Sequence, residues 1–192
     1  MSRTKSFSER DALEKALDVF WQRGYRGVGL TELLNGMGIA RQSLYDTFGN
    51  KRQLFIKTIE HYRDTRLASA LALLERDGSP TQNVKDLTRF FEQLALDKRA
   101  RGCLVANSLV EMGPHDAEIG ELLGRTLRRL ENGIAKALRR AQRLGELPAG
   151  RSPRAIARAL TNAFIGLAVT GKLAQGKSTV TDIYTGTLTM LG

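Results

Sequence analysis

Apolar residues return every three or four positions along most of this chain, a spacing that predicts helices. A first helix is expected at about 8–23, with Ser8 and Asp11 in the form of a capping box and Leu13, Ala16, Leu17, Phe20 and Trp21 on one face; Gly24 ends it. Thr31 has the form of an N-cap for a short second helix, with Glu32 favouring its positive end and Leu30, Leu33, Leu34 and Met37 along one side. After Gly38, a third short helix is expected at 41–48, where Leu44 and Phe48 lie four apart. Gly49 and Asn50 then turn into a long helix over 51–77, roughly 40 Å at about 1.5 Å per residue, which reads as a connector between two parts of the molecule. Further helices are expected at 81–98, 102–113 and 116–144, separated by Gly78-Ser79-Pro80 and by Gly113-Pro114. Residues 145–153 read as a loop, and Ser152 caps a helix over 153–172 that starts on Pro153. A last helix at 179–191 has enough Thr and Val to suit a strand equally. The expected fold is all-α, with a three-helix unit at 1–50 and a helical domain at 51–192.

Composition narrows the class. Of 192 residues, 42% are hydrophobic and 26% charged, an ordinary globular balance, and only four are proline. The net charge of +10 points to an anionic partner, nucleic acid before membrane, with a solubilising surface as the other reading. Charge does not locate that partner: residues 1–66 carry 12 basic and 8 acidic side chains, whereas 122–160 carry 10 and 2. The basic stretch at 125–158 is broken by Leu, Ala and Glu in the manner of a solvated helix face. The single cysteine, Cys103, excludes a disulfide within one chain, and residues 1–10 lack the apolar run of a signal peptide. No apolar run approaches the roughly 20 residues of a membrane span. A soluble cytoplasmic protein without membrane contacts is expected.

Residues 31–48, TELLNGMGIARQSLYDTF, have the form of helix, glycine turn, helix. A helix that enters the major groove must be short, pinned on one face and open on the other. Leu44 and Phe48 can pin it to Leu17, Phe20, Leu33 and Leu34, which leaves Arg41, Gln42, Ser43, Tyr45 and Thr47 with faces available to DNA. By spacing alone, a helix pair in an ordinary bundle fits as well.

The stretch GYRGVGLTELLNGMGIARQSLYDTFGNKRQLF, residues 24–55, resembles the signature of the TetR (tetracycline-repressor) family of transcription regulators. It contains the G-Y segment, the Thr at the start of helix two, A-x-x-x-L-Y-x-x-F in helix three and the G-x-K turn into a long helix. The chain departs from many members at Asp46 and Thr47, where an aromatic residue and a His are common, a difference that bears on DNA sequence preference. The resemblance implies that Thr31 caps helix two and offers its backbone to a phosphate. It implies that Arg41, Gln42 and Ser43 reach base edges, that Tyr45 gives its hydroxyl to a phosphate, and that Lys51 contacts the DNA backbone as a point charge. For Asp46 a salt bridge to Arg41 or Arg52 is expected over a base contact.

The same resemblance implies a homodimer formed by the last two long helices, a near-palindromic double-stranded operator, a small-molecule inducer of unknown identity, and no cofactor. Ala155, Ala159, Ala163, Gly166 and Thr170 recur at helical spacing and suit a close helix contact, either between subunits or within one. The expected inducer pocket draws on Phe90, Phe91, Leu94, Cys103, Leu104, Asn107, Ser108, Met112, Leu127 and Phe164, among which core residues are also to be expected. Lys98, Arg99 and Arg101 precede Cys103, and these cations with a helix N-terminus favour a thiolate; the alternatives are a thiol sensor or a small buried hydrophobe. Lys172 is either its second partner or a cap for the helix it ends. His61 and His115 are isolated and no metal site is expected. The absence of G-x-G-x-x-G, P-loop and G-x-S-x-G patterns argues against an enzyme.

Overall fold

The computed structural model describes residues 7–97, 101–173 and 176–191, and among these there is helix and no strand. Helix α1 spans Glu9–Gly27; the Ser8 hydroxyl accepts from the Asp11 N–H at 3.3 Å, as the capping pattern predicts. The regular winding ends at Gly24, as expected, where φ 75° and ψ 173° put a kink before a last short turn to Gly27. The kink faces the carboxylate of Glu111, which accepts from the N–H groups of Tyr25 and Arg26 at 2.9 and 2.7 Å. A Cβ on residue 24 would lie 2.9 Å from that carboxylate, so glycine is required both for the positive φ and for the approach.

Helix α2 spans Leu30–Met37 with Gly29 at its N-cap, two residues earlier than the expected Thr31 cap. Leu30 packs against the core and draws the helix start forward, leaving the Thr31 side chain exposed within the first turn. Gly38, at φ 68°, ends α2 by donating its N–H to the Leu34 and Asn35 carbonyls. Helix α3, Arg41–Phe48, follows, then α4, Lys51–Tyr62, which opens with a full capping box between Asn50 and Gln53.

The expected 51–77 connector is continuous in direction but not in winding. After α4 come a π turn, Arg63–Leu67, helix α5, Ala68–Ala72, and a 3-10 turn, Leu73–Glu75; Arg76 is extended. Hydroxyls of Thr65 and Ser69 bond carbonyls four residues back, the kind of side-chain competition that perturbs a helical ladder. The remaining helices are α6, Pro80–Ala95; α7, Leu104–Met112; α8, Ala117–Arg143; α9, Pro153–Thr170; and α10, Gly176–Leu188, with a final 3-10 turn at Thr189–Leu191. Ser79, Asp116 and Ser152 cap α6, α8 and α9. The C-terminal segment is helix because Thr185 and Thr187 turn their hydroxyls onto the carbonyls of Thr181 and Ile183, while Val180 packs into the core. The expected end of the 81–98 helix and the cations Lys98 and Arg99 lie outside the described residues.

Two apolar clusters form. The first joins α1–α4 to α7 and the front of α8 through Phe20, Leu33, Leu44, Phe48 and Phe55, each at most 2% exposed. The second joins α5, α6, the rear of α8, α9 and α10 around Val84, Leu87, Ile134, Leu138 and Leu160. Polar bonds tie the head to the rest. Arg52 grips Asp116 at 2.6 and 2.9 Å and Glu118 at 2.7 Å, Trp21 Nε1 donates to the Gly102 carbonyl at 2.9 Å, and Arg101 pairs with Asp18 at 2.6 Å.

Replacing Glu111 with Ala strands the part-buried Tyr25 amide and gives the exposed Arg26 amide to water, and is expected to cost about 1–2 kcal/mol of unfolding free energy, with a smaller loss for Glu111→Gln. Chemical denaturation of the two variants measures this. The Arg52 guanidinium, followed by the Ile119 N–H, holds the Asp116 carboxyl down at about 2, against an ordinary 3.8. A depressed carboxyl stabilises the fold above its unfolded value, and that contribution is lost as pH falls from about 4 to 2. The urea midpoint of the wild-type chain should therefore drop more steeply across that window than that of Asp116→Asn.

Candidate functional site

The recognition face is built by burying the back of α3. Leu44 and Phe48 are 0% and 2% exposed, and on the opposite side Arg41, Gln42, Tyr45 and Asp46 face outward, with Ser43 and Thr47 half-buried beside them. The Arg41 guanidinium lies 5.9 Å from the Tyr45 ring centre. Gln42 Nε2 donates to Asp46 Oδ1 at 2.8 Å. Asp46 therefore pairs with neither Arg41 nor Arg52, because Arg52 is turned to Asp116 and Glu118. Thr31 sits in the first turn of α2, where helical amides lack internal partners, so its backbone keeps the phosphate-donor geometry although its side chain caps nothing.

Lys51 departs from the expected exposed point charge. Its ammonium donates to the Val28 carbonyl at 2.6 Å and lies 4.5 Å from the Tyr25 ring centre. Burial pushes its pKa down, opposed by the charge of Glu111. In this geometry Lys51 ties the start of α4 to the end of α1. No local pattern in the sequence signals that bond, which closes over 23 residues.

A cavity of about 80 Å³ lies where head and body meet. Trp21 of α1 forms one wall; Tyr62, Arg66, Leu67 and Ala70 of the connector form the next. Helix α6 contributes Phe90, Phe91 and Leu94, the start of α7 gives Cys103 and Val105, and α8 gives Thr126, Leu127 and Leu130. Five expected pocket residues, Phe90, Phe91, Leu94, Cys103 and Leu127, thus line it. Leu104 and Met112 instead point into the first core cluster, and Ser108 is buried on the same side of α7. Asn107 is used structurally, donating to the Arg101 carbonyl at 2.9 Å and accepting from Lys172 at 2.8 Å. Phe164 lies one layer behind, stacked on Phe91 with ring centres 4.3 Å apart. Helical spacing identifies an apolar face but not its rotation about the helix axis. Sequence reasoning missed Trp21, Tyr62 and Arg66, since nothing in the pattern separates a cavity wall from ordinary core.

Cys103 is the half-buried N-cap residue of α7 and forms part of the cavity wall. Burial raises the thiol above its ordinary range; the N–H groups of Ala106 and Val105, the Tyr62 hydroxyl and the charge of Lys172 pull the other way without reversing it. Of the two expected alternatives, this environment favours the small buried hydrophobe over the thiolate. Arg101 is occupied elsewhere, stacked 4.2 Å from the Trp21 ring centre, and Lys172 holds Asn107. His61 pairs with Glu14 at 2.8 Å, and among the described residues no three His, Cys, Asp or Glu side chains converge as metal ligands. No described helix is long and apolar enough to cross a membrane.

Comparison with known proteins places this architecture. The model of the bacterial regulatory proteins, tetR family, matches residues 12–58, and that of the tetracyclin repressor-like C-terminal domain matches residues 80–185. The chain is 38% identical over 148 residues to the uncharacterized HTH-type transcriptional regulator YezE of Bacillus subtilis, covering 77% of this chain and 76% of that one. It is 32% identical over 171 residues to the transcriptional regulator AcuR of Cereibacter sphaeroides, covering 88% and 78%. Among solved structures, a cysteine-substituted TetR family regulator CifR in complex with 26-bp operator DNA superposes with a TM-score of 0.88 at 26% identity, over 97% of this chain and 98% of that one. On the helix-turn-helix, the helical body behind it and these matches over nearly the whole length, the chain belongs to the TetR family of bacterial regulatory proteins and is a DNA-binding transcriptional regulator, not an enzyme.

Proposed function

We propose that this regulator binds a near-palindromic operator as a homodimer, acts as a repressor, and releases its DNA when a small molecule fills the cavity. Residues 1–50 serve as the DNA-binding head and 51–192 as the sensing and dimerising body. The observation that carries this reading is that Trp21, a residue of the head, is itself a cavity wall, facing Tyr62 at 5.3 Å between ring centres. A ligand that enters must act on α1 and on the connector together. It shifts the equilibrium only so far as it binds one arrangement of these walls better than the other. Dimerisation through α9 and α10 is supported by the exposure pattern of α9. Ile156, Leu160, Phe164 and Leu167 are buried within the monomer, whereas Ala155, Ala159, Ala163, Gly166 and Thr170 form an exposed to half-buried face of small side chains. Two heads held this way meet successive major grooves about one DNA turn apart.

A second reading makes Cys103 the sensor, with modification of the thiol replacing a ligand. It is favoured by the position of Cys103 in the cavity wall beside Tyr62, and opposed by the raised thiol pKa. The two readings separate on one experiment. Operator affinity is measured with and without a thiol-reactive electrophile, for wild type and Cys103→Ser. Loss of binding in wild type alone establishes the thiol reading; equal responses in both proteins leave the non-covalent ligand.

Arg41 and Gln42 are the residues assigned to base readout, with Ser43 beside them, and Tyr45 and Thr47 to the DNA backbone edge of α3. Arg41→Ala and Gln42→Ala are each expected to lower the preference for operator over random duplex by about 1–3 kcal/mol. Equal losses on both duplexes would demote them to phosphate contacts. Lys51→Ala should weaken binding on every sequence alike. If Lys51 leaves Val28 for a phosphate on binding, the slope of log affinity against log salt falls by about one unit; if it stays on Val28, affinity drops with the slope unchanged.

A further inference from the structure

We infer that the cavity selects a small uncharged apolar molecule of about three to five non-hydrogen atoms, and that it rejects carboxylates and ammonium ions of the same size. The inference rests on the reading of this cavity as the effector site and adds the chemical class of the effector.

Size comes first. At about 80 Å³ the space is roughly half that of the ~150 Å³ apolar cavity that takes benzene or xenon. A short hydrocarbon or a neutral molecule of like bulk fits without displacing a helix, and anything larger must move α1 or the connector.

Polarity comes second. The wall is made almost wholly of carbon, and its Trp21 and Thr126 polar groups already have partners. Trp21 Nε1 is given to the Gly102 carbonyl, and the Thr126 hydroxyl donates to the Leu122 carbonyl at 2.8 Å. The Tyr62 hydroxyl and the Cys103 sulfur are neighbours in the wall, each raising or lowering the other's pKa, and both groups are weak hydrogen-bonding partners for an ion. An entering carboxylate or ammonium would lose its water and find no opposite charge inside, with the Tyr62 hydroxyl as its one neutral polar neighbour, a desolvation cost that such a site cannot offset. The one cation in the wall, Arg66, stands at the solvent edge and is engaged by the Glu14 carboxylate. What remains for a ligand is the faces and edges of Trp21, Tyr62, Phe90 and Phe91 with the Cys103 sulfur. These polarisable surfaces favour dispersion contacts with an uncharged guest.

Xenon, cyclopropane and propanoate serve as probes of the full-length protein. Xenon-pressurised diffraction is expected to place the gas between Phe91, Leu127 and Cys103. Cyclopropane should raise the thermal midpoint, and propanoate should leave it where an equal concentration of chloride does. Ala70→Leu, which fills the space from the connector side, should abolish both responses; if that variant does not fold, Leu127→Phe fills it from α8. An empty cavity under xenon overturns the inference, as does a propanoate-induced rise that disappears in Arg66→Gln. Xenon and cyclopropane bound in the cavity with operator affinity unchanged would support the ligand class while removing release of DNA by cavity filling, so the two readings fail separately.

Discussion

The constraint on which this molecule depends is the junction between a kinked helix and a single carboxylate. Helix α1 cannot run straight through Gly24, and the two amides freed by the kink both donate to the Glu111 carboxylate. Everything after the kink takes its position from that bond. Tyr25 lies against Phe20 and Phe55, Val28 supplies the carbonyl that holds Lys51, and Gly29 opens α2. The recognition helix is thus oriented by a residue of α7, which lies outside the helix-turn-helix, with charge-assisted hydrogen bonds of the stronger kind.

Helix α7 has its other end in the cavity. Cys103 caps it there, and the Gly102 carbonyl immediately before takes the Trp21 indole N–H. Over nine residues the same short helix therefore touches the cavity wall at its start and the α1 kink near its end. A short helix behaves as a rod on the scale of these contacts, because interiors are packed too densely to absorb a shift locally. The link between the cavity and the helix-turn-helix is in this sense mechanical and short, with Trp21 and Glu111 as two points of attachment to α1.

Much of this was legible in the sequence, and the failures share a cause. The all-α class, the bounds of α3 and the burial of Leu44 and Phe48 followed from spacing, because local periodicity decides which helix face is apolar. The caps at Ser8 and Ser152 were legible because a cap involves residues three apart. Thr31 misled because the tertiary contact of Leu30 outweighs a local capping preference. The roles of Lys51, Glu111 and Trp21 were hidden because each is fixed by a partner 23, 85 and 81 residues away. Cys103 stayed open between two readings for a similar reason: the neighbouring cations favour a thiolate, whereas burial among distant elements pushes its pKa up. Leu104 and Met112 carried the right chemistry for a pocket, but the rotation of α7 about its axis turned them into the head core.

The π turn at Arg63–Leu67 has a consequence for how relatives of this chain can diverge. A π turn is in effect one surplus residue stored inside a helix, and excising it restores the ordinary ladder. Since each helical residue advances the winding by about 100°, losing that residue would swing Tyr62 and the whole of α4 by over a quarter turn relative to α5. The indole–phenol contact of Trp21 and Tyr62 would be broken while every downstream helix kept its place. A one-residue gap in an alignment at this point would therefore mark a lineage with a rebuilt sensor chamber, even where the surrounding residues are unchanged.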